Sequence, residues 1–154
     1  LAAVSGCGPR LEDYHSEEGR FHIRLPGQPR SDPNPDLPRG IRSIVFMERS
    51  GSFTLAWEKL AAGKEDPQRL LDEACKGAVE KLKGKELSRK KIELPGGHPG
   101  RELMVEWPER KGVTLQRIYL VDRQLYNVVA SGTAWWIESD PVRAVMNSFR
   151  LEEG

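Results

Sequence analysis

Almost everything from which a function is usually read is scarce in this sequence. Histidine occurs three times in 154 residues, at His15, His22 and His98. Their spacing fits no metal-ligand pattern, and there is no C-x-x-C, H-E-x-x-H, G-x-S-x-G or phosphate-binding glycine loop. No motif calls for a cofactor. These gaps remove the positive case for an enzyme, although a catalytic group can still assemble from distant residues. An excess of one charge is lacking too. The 24 Lys and Arg against 23 Asp and Glu leave a net charge of +1, which is not the basic footprint of a nucleic-acid binder. No stretch approaches the roughly 18 consecutive apolar residues that a membrane span needs.

Cysteine is scarce as well, with two residues, Cys7 and Cys75. Cys7 closes the run Leu1-Ala2-Ala3-Val4-Ser5-Gly6-Cys7. Small residues ending on Cys look like the cleavage site of a bacterial lipoprotein signal peptide, without the charged start and most of the apolar region. On that reading residues 1–6 are a signal-peptide remnant and Cys7 carries lipid. The other reading is a plain tail. Residues 7–19 read as a polar tether, and residues 20–151 as one globular domain. The 31% charged and 38% hydrophobic composition suits a domain with a real core and a wet surface.

What is present centres on Gly96-Gly97-His98-Pro99-Gly100, which specifies a tight turn. Leu103, Val105 and Trp107 then alternate with Glu102, Met104 and Glu106, the period of a strand with one apolar face. Upstream, Phe21, Ile23 and Leu25 alternate with His22 and Arg24 in a first short strand, which puts His22 on the polar face. Five prolines at positions 26, 29, 33, 35 and 38 make residues 26–40 an extended surface loop or, on a sharper reading, a Pro-rich docking ligand. Residues 41–49 and 52–60 form a hairpin around Ser50-Gly51.

Asp66-Pro67 is an N-cap followed by Pro at the first helical position. Leu70, Leu71, Ala74, Cys75, Ala78, Val79 and Leu82 then recur at helical spacing, and Gly84 closes the helix. Cys75 lies on that stripe as a small buried hydrophobe. Residues 85–94 read as an edge strand guarded by cations. The same Lys83, Lys85, Arg89, Lys90 and Lys91 could instead form an anion-binding or membrane-surface patch. Residues 113–121 and 125–131 contain continuous apolar runs, Ile118 to Val121 and Val128 to Ala130, so both faces of the sheet must be covered there. Asp140-Pro141 starts the last helix, again as N-cap and first helical position, with Val142, Val145, Met146 and Phe149 inward. Between strand and helix lies Trp135-Trp136. Extended neighbours point oppositely, so one indole packs and the other is partly exposed, either as a loop covering the sandwich end or as a binding surface.

The fold class is therefore α+β: a mostly antiparallel meander of about six to seven strands between two helices. Phe21 to Pro29, the helix ending at Gly84, Gly97-His98-Pro99-Gly100-Arg101-Glu102, Arg117 to Val121 with Leu125-Tyr126, and Asn147 to Leu151 together resemble the PsbP-like fold, shared with a Ran-binding nuclear import factor. The order is also similar to small lipoprotein-type domains of planctomycete-like bacteria. The resemblance covers nearly all of residues 20–151. It implies a fold, and carries over no catalytic residue, metal site or partner site. The function expected is a non-catalytic, lipid-anchored binding or assembly domain of the bacterial cell envelope, outside the cytoplasmic membrane. Its partner would be an envelope protein or a ligand, met through Trp135 and Trp136, with the membrane touched only through the anchor. The alternatives are an envelope enzyme using His98 with nearby acids, and the cationic patch.

Overall fold

The computed structural model describes residues 10–152. Cys7, the expected signal remnant and the first part of the expected tether lie outside the described residues. The chain runs β1 (Glu12–Ser16), β2 (Phe21–Leu25), β3 (Arg30–Ser31), β4 (Arg42–Met47), β5 (Gly51–Lys59), α1 (Pro67–Leu82), β6 (Lys85–Leu94) and β7 (His98–Glu106). It continues through β8 (Val113–Val121), β9 (Gln124–Gly132), α2 (Ala134–Ile137), α3 (Asp140–Asn147) and β10 (Arg150–Leu151). Seven strands form one antiparallel sheet in the order β3-β4-β5-β9-β8-β7-β6, and β1-β2-β10 form a second.

The crossover from β5 to the far edge explains the layers. α1 leaves the middle of the sheet, crosses β8 and β7, and delivers the chain to β6. Its stripe, Leu71 and Cys75, packs on Leu103, Val105, Ile118, Leu120 and Leu125. The opposite side chains of the same strands, with Phe53, Leu55 and Trp57 of β5, meet Phe21, Ile23 and Leu25 of β2 and Val142, Val145 and Met146 of α3. The continuous apolar runs are thus covered on both faces, as two-sided strands must be. β6 is the charged edge strand, with a register shift between Glu86 and Ser88 that leaves Leu87 unpaired. That bulge is a further guard against edge pairing.

Several local expectations change. The expected tether contributes β1, which pairs with β2 from Glu12–Leu25 to Ser16–Phe21. Its sequence, EDYHS, has no apolar alternation, so periodicity could not reveal it. The Pro-rich loop adds the short β3 to the sheet, where Arg30 and Ser31 pair with Val45 and Ile44, and Asp32 N donates to the Ser43 carbonyl at 3.0 Å. Lys83, not Gly84, takes the left-handed position at the end of α1, with φ 53°. Gly84 is needed for a different reason: a Cβ there would lie 2.4 Å from the Glu106 carbonyl oxygen. Trp107 falls just beyond β7 and donates from Nε1 to Thr114 Oγ1 at 2.8 Å. Ser139, rather than Asp140, is the N-cap of α3.

Candidate functional site

Trp135 and Trp136 sit on α2, a single helical turn rather than an extended loop. Neighbours on a helix are still splayed by about 100°, so the expected division of roles holds. Trp136 is 6% exposed and packs on Phe53 with ring centroids 5.2 Å apart. Two glycines make room for it. A Cβ at Gly51 would stand 2.4 Å from the Trp136 ring, and one at Gly132 would stand 2.8 Å away. Thr133 N donates to the Ser50 carbonyl at 3.3 Å, and Ser139 Oγ donates to the Trp136 carbonyl at 2.5 Å. With its neighbour pinned this way, Trp135 is left 68% exposed on a rigid support.

His98 lies at the other end of the large sheet. Gly96 and Gly97, at φ 98° and 83°, make the turn that the glycines called for, and β7 starts at His98. Its ring borders a cleft of about 800 Å³, with His22, Leu94, Pro95, Arg150, Leu151 and Glu152. Glu93, beside the Gly97 turn, and Asp122 also stand near His98, whereas two further acids are engaged. Glu152 accepts from His15 Nε2 at 2.9 Å, and Glu102 accepts from Arg117 Nε at 2.8 Å. His22 is not the free polar-face residue its alternation suggests. Its ring stacks on His15 at 4.3 Å, and its Nδ1 lies 3.3 Å from Asp13 Oδ2. The three histidines therefore gather at one end of the molecule, two through the β1–β2 pairing of His15 with His22.

The cations of β6 do not form one patch. Lys90 is paired across the strands with Glu102, and its Nζ lies 3.2 Å from that carboxylate. Arg89 points to the α1 side, where it meets Asp72 at 3.8 Å and Glu86. Lys91 is opposite Arg101, on that same side, whereas Lys85 is opposite Glu106. Lys83 belongs to the helix end.

The sequence around Arg101 marks it only as a residue following a turn, yet it is 2% exposed. Nε donates to Asp72 Oδ1 at 3.0 Å, Nη1 to the Gly100 carbonyl at 2.9 Å, and Nη2 to Gln68 Oε1 at 2.6 Å. The hydrogen bond from Arg101 holds the Asp72 carboxyl below its ordinary pKa. The same period of two that puts Leu103 and Val105 inward also puts Arg101 there, so the signal was present. This arginine clamps α1 to β7. The His15–His22 stack had no signal in the sequence, because β1 had none.

No family model matches the chain, nor does any curated protein sequence. Among solved structures it is similar to the cyanobacterial PsbP protein, CyanoP, of Synechocystis, at a TM-score of 0.70 and 12% identity over 98% of each chain. It is also similar to a Pseudomonas aeruginosa protein of unknown function, at 0.52 and 15% identity, over 82% of this chain and 85% of that one. At these identities the likeness is one of fold: the chain has the PsbP-like fold, as its strand and helix order led one to expect.

Proposed function

We propose that this chain is a non-catalytic binding or assembly domain of the bacterial cell envelope, held at its membrane by lipid on Cys7. The sheet end that carries Trp135 is its contact surface. The observation that carries this reading is a tryptophan 68% exposed beside one that is 6% exposed and locked in place. A large aromatic displayed on a rigid support binds at low entropic cost, and such residues dominate the energetics of contact surfaces. The small-residue run closing on Cys7 supports the anchor. The PsbP-like fold fits a binding role without requiring one.

Two alternatives draw less from the geometry. An envelope enzyme would use His98, but Glu152 on its cleft is paired with His15, and Glu102 with Arg117. An anion binder would use Lys83, Lys85, Arg89, Lys90 and Lys91, of which Lys83 belongs to the end of α1 and the others are divided between the two faces of β6. Neither a cofactor nor a nucleic acid enters the reading.

Two measurements test it. Mass spectrometry of the protein from its native envelope should find acyl chains on Cys7, and an unmodified thiol there would end the anchor. Capture from envelope extracts should weaken by about 2 kcal/mol with Trp135→Ala if this residue is a hot spot. Unchanged capture would move the contact surface elsewhere.

A further inference from the structure

The chain enters the described structure at the same end of the large sheet as Trp135. β1 begins with Glu12 opposite Leu25, and Glu12 accepts a hydrogen bond from Gln28 Nε2 at 3.0 Å. Gly27 lies against the Phe46 ring, so Glu12 is beside the last residues of β4. The end row of the sheet can then be followed strand by strand: Met47 with Ser52, Gly51 with Gly132, Gly132 with Val113, Val113 with Glu106, and Glu106 with Lys85. The large hydrophobic residues exposed among the described residues are Met47, at 60%, Leu87, at 45%, and Trp135. All three lie on this row or within three residues of it, and half-buried Trp107 follows directly after Glu106.

The distance to Cys7 is short. Three peptide links separate it from Arg10, a span of at most about 11 Å. The nine residues of β5 put the opposite end, with the histidine cleft, about 30 Å further away. An anchor at Cys7 therefore brings the apolar end, and not the cleft, to a bilayer. Charge at this end is nearly balanced: the cations Arg49, Lys83, Lys85, Arg110 and Lys111 stand with the carboxylates Glu48, Glu106, Glu109 and Glu138, an excess of one. Apolar side chains with a tryptophan at the margin are what the interfacial layer of a membrane accepts.

We propose that this end seats on the lipid surface itself, with Trp135 and Met47 entering the headgroup layer. The inference rests on the anchor and contact surface proposed above and names what that surface touches. Because the charges nearly balance, a zwitterionic membrane is sufficient.

The full chain tests this when Cys7 is coupled to a maleimide-bearing lipid in phosphatidylcholine vesicles. Cys75, at 0% exposure, remains unreacted. Brominated acyl chains in the same vesicles should quench tryptophan emission. Trp135→Phe, with an unchanged far-ultraviolet circular dichroism spectrum, should abolish most of that quenching. Adding anionic lipid should change it little. No quenching of the coupled chain, or quenching untouched by Trp135→Phe, overturns the seat on lipid. Coupling supplies the anchor chemically, so that failure is distinct from an unmodified Cys7 in the native envelope. If quenching is absent while Trp135→Ala still weakens capture, the surface is for a protein and the lipid proposal is wrong.

Discussion

Glu102 shows how one residue's role is settled by what stands across the sheet. Burial alone would raise its carboxyl pKa, but the hydrogen bonds from Arg117 at 2.8 Å and Lys90 at 3.2 Å outweigh burial and leave it below its ordinary value of 4.5. A carboxylate depressed by folding contributes stability above the unfolded-state pKa and loses it as pH falls through the lower, folded value. Glu102→Gln should therefore be less stable than the parent at pH 7. The gap should narrow as pH falls below 4.5, which urea unfolding across a pH series would measure. A constant gap would mean that Glu102 acts through packing. The Arg101 guanidinium, by contrast, has its hydrogen-bond partners on α1 and β7.

At the scale of the element, α1 and its exit contain two glycine tests of opposite sign. Gly77 is in the exposed middle of the helix, and a Cβ there meets nothing within 4 Å. Gly77→Ala should stabilise the protein by about 0.5–1 kcal/mol, because glycine in a helix interior carries excess backbone entropy. Gly84 stands where the helix end meets β7, and a Cβ added to it would lie 2.4 Å from the Glu106 carbonyl oxygen and 2.6 Å from Val105 Cγ1. Gly84→Ala must displace backbone, and should cost on the order of 2 kcal/mol or more. Thermal melts of the two variants should move in opposite directions. The left-handed residue between helix and strand is Lys83, so glycine was required at this corner for space and not for its dihedral angles.

At the scale of the molecule, the large sheet is the partition between two apolar clusters, and its strands feed both. Ile118 and Leu120 face α1, while Tyr119 faces the small sheet; Leu125 and Tyr126 divide in the same way. Neither cluster can open without disturbing strands that hold the other. Unfolding should therefore be one cooperative transition. Tryptophan emission, whose buried contributors Trp57 and Trp136 lie on the small-sheet side, and helical circular dichroism, mostly from α1, should trace the same urea curve. Two separated midpoints would show that the two layers unfold independently.

The strong hairpins, α1 with its Asp66 N-cap, the edge character of β6 and the two-sided burial of β8 and β9 were all legible in the sequence. Each depends on side-chain periodicity or on capping chemistry that acts within a few residues, so the sequence determines it locally. The division of labour between Trp135 and Trp136 was also legible, though the helix that produces it was not. Tertiary structure alone decided that the polar segment EDYHS becomes β1, because its order comes from pairing with β2 rather than from a pattern of its own. It alone brought His15, His22 and His98 to one end, committed Glu102 to Arg117, and collected Met47, Leu87 and Trp135 at the other. Those groups are far apart along the chain, and strand order and register, which no local pattern records, decide which of them meet.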